Sequence, residues 1–164
     1  MSKLRKVLFI FLLTVLLAAC GGSGQSTANM EPHGDYDLTN ESDDARIINE
    51  VLVDDENFKM VLISVEHTTL GPSKGQNHAK MYLENKTDTE ISVSGLNVLV
   101  DGVEMREFDF FTVIYEQESD TEILRTYDFD GDLPKIEKSL ALDVIVSDYD
   151  TYDDIGNYEI DIEF

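Results

Sequence analysis

Strict alternation of apolar and polar residues is the feature that most restricts the fold of this chain. From Tyr158 to Phe164, aromatic or aliphatic side chains alternate with carboxylates, which is the pattern of a β-strand with one buried and one solvated face. The segment from Leu140 to Val146 repeats this pattern, with Ile145 as its exception. After residue 45 we find no amphipathic helix, because no long segment has the 3.6-residue period. The sequence therefore predicts an all-β, antiparallel fold.

Turn-forming residues divide the rest of this region into further short segments. Asp101-Gly102 is the strongest hairpin signal, because a two-residue turn of this type requires residues that adopt positive φ. The stretch from Asp54 to Asn57 predicts a second hairpin. Short strands at this spacing predict an antiparallel β-sandwich of about eight strands in residues 46–164, with a closed barrel as the alternative.

In two predicted strands, simple alternation does not show which face is buried. Between Ile91 and Val100 the apolar residues change from odd to even positions. A one-residue slip of this kind requires a β-bulge, which we place at Gly95. Between Met60 and Val65 apolar residues occupy both faces, so this strand is predicted to be covered on both sides and its orientation stays open.

The N-terminal segment has the layout of an export signal. Basic residues within the first six positions precede an uncharged run from Val7 to Leu17, as in the basic and apolar regions of a signal peptide. This run is much shorter than the roughly 20 apolar residues that a membrane-spanning helix needs. Two small residues, Ala18 and Ala19, then precede Cys20. Cleavage is predicted directly before Cys20, so that residues 1–19 are removed.

The stretch Leu17-Ala18-Ala19-Cys20 resembles the lipobox of bacterial lipoproteins. The resemblance implies that the Cys20 thiol carries a diacylglyceryl group and that Cys20 is the new N-terminus, anchored to the membrane on its extracytoplasmic face. Each buried CH₂ of an acyl chain is worth about 0.8 kcal/mol, so two or three chains suffice as an anchor. Cys20 is also the single cysteine of the sequence, which excludes a disulfide framework.

Residues 20–45 are rich in Gly, Ser, Asn and Asp and contain almost no aliphatic residues. Such a segment cannot bury enough apolar surface to offset the entropy lost on ordering, so it is predicted to be a flexible tether. Its r.m.s. reach is on the order of 25 to 30 Å.

The charge balance excludes whole classes of partner. The sequence has 34 acidic and 12 basic residues, a formal charge of −22, and without residues 1–19 the charge becomes −25. Nucleic acid is excluded as a direct partner, because phosphate binding needs clustered Lys and Arg. Anionic lipid headgroups would be repelled as well. Membrane association is therefore assigned to the lipid on Cys20.

Two acidic loops make calcium binding the alternative hypothesis. Their carboxylates lie at short spacings that can converge on a hard cation, although neither loop has the full pattern of an EF-hand. The competing interpretation is that each aspartate accepts hydrogen bonds from its own turn. The loop residues are Asp128, Asp130 and Asp132 in the first loop, and Asp148, Asp150, Asp153 and Asp154 in the second.

Candidate catalytic groups are few. His67 and His78 flank a polar loop and are interpreted as polar residues at strand ends. Neither the Gly-x-Ser-x-Gly elbow of serine hydrolases nor the Gly-Lys-Ser/Thr end of a phosphate loop is present. We therefore predict no catalytic residue, no cofactor and no metal ligand. An envelope enzyme is the third hypothesis, which a histidine paired with a carboxylate in a deep pocket would favour.

Aromatic residues suggest where a contact surface could lie. The stretch from Arg106 to Tyr115, "REFDFFTVIY", has its aromatic residues at strand spacing, so they are predicted to belong to the core. Tyr149 and Tyr152 lie in a predicted loop and are expected to be exposed and available for contacts.

Residues 49–66 and 81–102, "NEVLVDDENFKMVLISVE" and "MYLENKTDTEISVSGLNVLVDG", resemble the small immunoglobulin-like lipoproteins of low-GC Gram-positive bacteria. The resemblance implies an immunoglobulin-like β-sandwich on the outer face of the cell membrane, with no catalytic residues to carry over. The leading hypothesis is therefore a lipid-anchored, non-catalytic module that binds an unidentified envelope protein or ligand.

Overall fold

The computed structural model describes residues 45–128 and 131–164, and in these residues every regular element is a β-strand. No helix in this part of the chain is long and apolar enough to span a bilayer. The predicted signal peptide, Cys20 and nearly all of the predicted tether lie outside the described residues. The strands are β1 (Arg46–Asp54), β2 (Phe58–His67), β3 (Asn77–Asn85), β4 (Ile91–Val100), β5 (Val103–Glu104), β6 (Phe108–Asp109), β7 (Phe111–Ile114), β8 (Ser119–Thr126), β9 (Ser139–Asp148) and β10 (Asp154–Glu163).

The strands form two antiparallel sheets. The first sheet has the order β1-β2-β3-β8-β6, and the second has the order β10-β9-β4-β5, with β7 also pairing with β4. Without β1, these orders are those of the immunoglobulin sandwich, in which strands A, B, E and D face strands G, F and C. The predicted antiparallel immunoglobulin-like sandwich is therefore confirmed. The strand number exceeds the predicted eight mainly because β5 and β6 are two-residue strands with too little periodicity to recognise.

The inner faces of both sheets meet in one core of 22 buried side chains. The alternation in β9 is confirmed, since each of its even-numbered apolar residues from Leu140 to Val146 is buried. In β10, Ile160 and Ile162 are buried in the same core, whereas Tyr158 and Phe164 pack against its edge. The hydroxyl of Tyr158 donates a 2.7 Å hydrogen bond to Asp55 in the turn between β1 and β2, so this residue also links the two sheets.

A β-bulge decides the orientation of β2. The register of β2 against β3 shifts between Leu62 and Ser64. Because of this extra residue, Leu62 and Val65 both face the main core even though one is even-numbered and the other odd. Val61 and Ile63 instead join Tyr82 in a second buried cluster. The prediction that this strand is covered on both faces is confirmed.

The predicted slip in β4 is confirmed, but its predicted position is wrong. The register of β4 against β9 shifts between Leu96 and Leu99, and Asn97 has a φ of 50°. Asparagine tolerates this left-handed conformation better than most residues, so the bulge does not require a glycine. Gly95 serves the packing of Phe110 instead, because a Cβ at residue 95 would lie 2.9 Å from Cδ1 of the Phe110 ring.

The Asp101-Gly102 hairpin is confirmed. Both residues have positive φ, 51° and 78°, and Val100 pairs with Val103 across the turn. The Asp101 carboxylate also accepts hydrogen bonds from three successive backbone N–H groups that lead into β9, those of Glu137, Lys138 and Ser139. One aspartate therefore makes the turn and fixes the start of a central strand.

Candidate binding surface

The outer side of the second sheet carries the side chains that the core does not use. The pairing places Phe111, Ser94, Ile145 and Asn157 in one row across β7, β4, β9 and β10. The neighbouring row contains Leu96, Asp143 and Glu159. We call this surface the second-sheet face. Its members in the paired strands are Ser92, Ser94, Leu96, Leu99, Phe111, Val113, Ala141, Asp143, Ile145, Ser147, Asn157, Glu159, Asp161 and Glu163. Tyr115 directly follows β7, and we count it with Phe111 and Val113 because alternate side chains of an extended chain point to the same side.

The β4 and β7 side of this face carries exposed apolar side chains, with Ser92 and Ser94 among them. Leu96 is 44% exposed, Phe111 is 58% exposed and Tyr115 is 60% exposed. Val113 and Ile145 lie beside them and are half-buried. A contiguous apolar surface on a folded domain is typical of a binding site, whereas single exposed apolar residues are common and need no explanation.

The prediction that the aromatic residues of 106–115 belong to the core is correct for only part of that stretch. Phe110 is buried, and Phe108 packs against the core. For Phe111 and Tyr115 the prediction is wrong, because successive side chains of a strand point to opposite faces. The consecutive residues Phe110 and Phe111 were the available signal, since both cannot face the same core.

The two tyrosines predicted to be exposed are exposed. Tyr149 is 41% exposed and Tyr152 is 79% exposed. The backbone N–H of Tyr149 donates to the carbonyl of Glu90, at a distance of 2.9 Å. Because Glu90 directly precedes β4, this bond places Tyr149 at the end of the second-sheet face.

The charge of the second-sheet face has a single sign. Strands β4, β7, β9 and β10 contain no Lys or Arg, whereas β1, β2, β3 and β8 of the first sheet each contain one. The carboxylates Asp143, Glu159, Asp161 and Glu163 lie on the β9 and β10 side of the face. Leu96, Ile145 and Glu159 all line one depression of about 230 Å³. The face is therefore apolar on one side and anionic on the other.

Asn85 positions the end of β7 from which Tyr115 projects. It is buried, and its side-chain amide donates to the carbonyls of Thr89, Ile114 and Tyr115 at 2.8 to 3.1 Å. Its amide oxygen accepts a hydrogen bond from the N–H of Thr87 at 2.9 Å. One side chain thus joins β3 of the first sheet to the β3–β4 turn and to β7 of the second sheet.

The histidines lie at the ends of β2 and β3, as predicted. Nδ1 of His78 lies 3.2 Å from Oε1 of Glu66, and Nδ1 of His67 lies 2.9 Å from Oδ1 of Asn77. Burial lowers the pKa of His78, although the neighbouring Glu66 acts in the opposite direction. The adjacent groove is small, about 130 Å³, and the hydrogen bonds described for the two rings lead to carboxylate and amide oxygens rather than to a serine, threonine or cysteine. This arrangement does not provide the deep pocket that would favour an enzyme.

In the described part of the acidic loops, Asp148 uses its carboxylate within its own turn and Asp132 pairs with a lysine. Asp148 accepts hydrogen bonds from the N–H groups of Asp150 and Thr151, at 3.0 and 2.9 Å, and Asp132 forms an ion pair with Lys74 at 3.7 Å. Among the described residues, no three His, Cys, Asp or Glu side chains converge on a point that could hold a metal ion. Asp130 of the first loop lies outside the described residues. The turn interpretation is confirmed for Asp148.

A second groove, of about 360 Å³, lies elsewhere in the described residues. Its lining is formed by Val103, Glu104, Met105, Arg106, Glu107, Tyr127, Asp128 and Leu133. Four of these eight residues are charged, and Tyr127 is the single aromatic residue among them.

The carboxylate of Asp101 predicts a defined acid sensitivity. Burial raises the pKa of Asp101, but hydrogen bonds from the backbone N–H groups of residues 137–139 outweigh burial and hold the pKa below its ordinary value. A carboxyl group whose pKa is lower in the folded state stabilises the fold above the unfolded-state pKa, and this contribution is lost as the pH falls through the folded-state pKa. We therefore expect the melting temperature to fall below about pH 4.

The test compares two variants that each remove one negative charge. In Asp101→Asn the side chain keeps an acceptor oxygen but cannot titrate, so thermal melts between pH 7 and pH 2.5 should show a shallower acid dependence than the parent. Asp161 is exposed on the second-sheet face and accepts no such hydrogen bonds, so Asp161→Asn should retain the parent's dependence. If the melting temperatures of the two variants depended equally on pH, the assignment of the acid sensitivity to Asp101 would be wrong.

Comparison with known proteins identifies no family for this chain. No protein-family model matches the chain, and no curated protein matches its sequence. Among solved structures, the crystal structure of a FixG-related protein from Vibrio parahaemolyticus is similar at 17% sequence identity and a TM-score of 0.34, over 68% of this chain and 96% of that chain.

Proposed function

We propose that this chain is a lipid-anchored protein on the extracytoplasmic face of a bacterial cell membrane, and that its β-sandwich binds an envelope protein without catalysis. The observation that carries the binding role is the exposed apolar surface formed by Leu96, Phe111 and Tyr115 on the second-sheet face. The anchor is supported by the resemblance of residues 17–20 to a lipobox. The organism class, a low-GC Gram-positive bacterium, is supported by the sequence resemblance alone.

The folded domain leaves aromatic surface exposed to water. Burying a Phe side chain contributes about 1.5 to 3 kcal/mol relative to leaving it exposed, and the domain leaves Phe111 outside although Phe110 beside it is buried. Aromatic residues are enriched in protein interfaces and dominate their binding energy. A partner that covers Phe111 and Tyr115 would recover this free energy.

The attachment point of the chain leaves this face accessible within the domain. The predicted tether is followed by β1, which is an edge strand of the first sheet. The second-sheet face lies on the opposite side of the core. A partner can therefore approach β4 and β7 without displacing the strand through which the chain enters the domain.

Photo-crosslinking in intact cells tests the anchor and the face together. With p-benzoylphenylalanine at position 111 we expect an adduct of defined mass in the membrane fraction. The matched control places the same residue at position 47, because Ile47 is 50% exposed on the first sheet. In a Cys20→Ser background the protein should leave the membrane fraction and the adduct should disappear.

Each component of the proposal can fail separately. The binding surface would be wrong if positions 111 and 47 gave the same adducts, or if position 111 gave none at the parent's protein level. The anchor would be wrong if Cys20→Ser left the protein in the membrane fraction.

A further inference from the structure

We infer that the second-sheet face receives a short extended protein segment with a basic half over β9 and β10 and an apolar half over β4 and β7. This inference rests on the proposed function and specifies the chemistry of the partner. It is carried by the arrangement of apolar and anionic side chains on an uncovered sheet face.

Charge complementarity identifies the basic half. Glu159, Asp161 and Glu163 project from β10, and no side-chain hydrogen bond or ion pair neutralises them within the described residues. Asp143 accepts one hydrogen bond, from the side-chain amide of Asn97 at 2.6 Å. The four strands of this face supply no cation, so a partner that covers these carboxylates has to bring the opposite charge. Complementary charges of this kind fix register and raise the association rate more than they raise affinity.

The order of the residues across the strands identifies the direction of the segment. One row runs from Glu159 through Asp143 to Leu96, and the next ends at Phe111. Neighbouring strands are about 4.8 Å apart, so β10 and β7 are separated by about 14 Å. An extended chain advances about 3.3 Å per residue, so four or five residues span the face. A segment that crosses the strands therefore meets carboxylates first and aromatic or aliphatic side chains second.

The same charges argue against a second copy of this chain as the occupant. Residues 45–164 contain 28 acidic and nine basic residues, and two second-sheet faces in contact would bring together carboxylates with no cation between them. Like charges placed opposite one another across an interface cost several kcal/mol. Nucleic acid and anionic lipid headgroups are disfavoured for the same reason.

The test uses the lipidated full-length mature protein in zwitterionic detergent and three fluorescent tetrapeptides, whose length matches the width of the face. The first has two lysines followed by Leu and Phe. The second replaces the lysines with glutamates, and the third replaces the apolar half with two serines. By fluorescence anisotropy at low salt, we expect the first peptide to bind at least tenfold more tightly than either of the others.

Charge-reversal variants locate the binding site. Glu159→Lys should weaken binding of the lysine–apolar peptide at least tenfold. The matched control is Glu50→Lys, which makes the same change in net charge at an exposed position on β1 of the first sheet and should weaken binding less than threefold. Phe111→Ser should weaken the lysine–apolar peptide but leave the lysine–serine peptide unchanged. Thermal melts within a few degrees of the parent will show that each variant is folded.

The outcomes separate this inference from the proposed function. Equal binding of the three peptides, or equal effects of Glu159→Lys and Glu50→Lys, would overturn the inference. So would a dimer, seen by sedimentation, that Glu159→Lys dissociates. If the photo-adduct at position 111 still formed in cells in any of these cases, the proposed function would stand with a partner of different chemistry.

Discussion

Replacing Asn85 with alanine is expected to lower the free energy of unfolding by about 3 kcal/mol and the melting temperature by about 10 °C. Asn85 is 1% exposed, and its amide donates to three carbonyl groups while its oxygen accepts one backbone N–H. A buried polar group that loses its partner costs about 1 to 3 kcal/mol. Alanine removes these hydrogen bonds and leaves the carbonyl groups without the partner that the amide supplied.

The substitution should also loosen the end of β7, because Ile114 and Tyr115 are held by the Asn85 amide. Asn85→Asp has nearly the same shape but presents a carboxylate to three carbonyl oxygens, so it should be at least as destabilising as alanine. Asn157 is exposed and its side chain makes no hydrogen bond within the described residues, so Asn157→Ala should change stability by less than about 0.5 kcal/mol.

Urea unfolding followed by circular dichroism measures these differences. A loss below 1 kcal/mol for Asn85→Ala, or a smaller loss for Asn85→Asp than for Asn85→Ala, would show that the buried amide network is not what holds β7 in place.

Gly95→Val is expected to lower the free energy of unfolding by about 2 to 3 kcal/mol. Strand propensity alone predicts the opposite sign, because valine is among the most favourable residues in strands and glycine among the least. The cost arises because a Cβ at position 95 would lie 2.9 Å from the ring of Phe110. Phe110 is itself 5% exposed, so its ring has little room to move.

A double-mutant cycle isolates this contact. In a Phe110→Ala background the space next to Gly95 is vacated, and Gly95→Val should become neutral or stabilising. Ser94→Val, on the outward face of the same strand, serves as the control and should not be destabilising. An equal cost of Gly95→Val in both backgrounds would place the strain somewhere other than the Phe110 ring.

The sequence predicts the strands best where one face is exposed to solvent and the other is buried. In β9 and β10 the alternation is nearly regular, and the burial of Leu140 and Ile160 follows from it directly. The Asp101-Gly102 turn is equally predictable, because the backbone conformation it needs is available to few residue pairs. The position of a β-bulge is harder to predict. The change of buried face in β4 is visible in the sequence, but glycine and asparagine can both adopt the left-handed conformation at the bulge.

The candidate site was only partly predictable for a related reason. Tyr149 and Tyr152 lie among turn-forming residues, so their exposure could be anticipated. Phe111 and Tyr115 lie in a strand, and a strand's pattern gives two faces without saying which one meets the core. That choice depends on which neighbour β7 pairs with, and the sequence does not specify its pairing with β4.

The sequence by itself determined the all-β class, the main turns and the acidic character of the chain, because alternation, turn chemistry and charge are local properties of the residues. Only the tertiary structure decided which side chains share a surface. Phe111 and Glu159 are 48 residues apart in the sequence, and they belong to one face because β4 and β9 lie between β7 and β10. Such long-range pairing is set by the packing of the whole core, and no short segment of the chain encodes it.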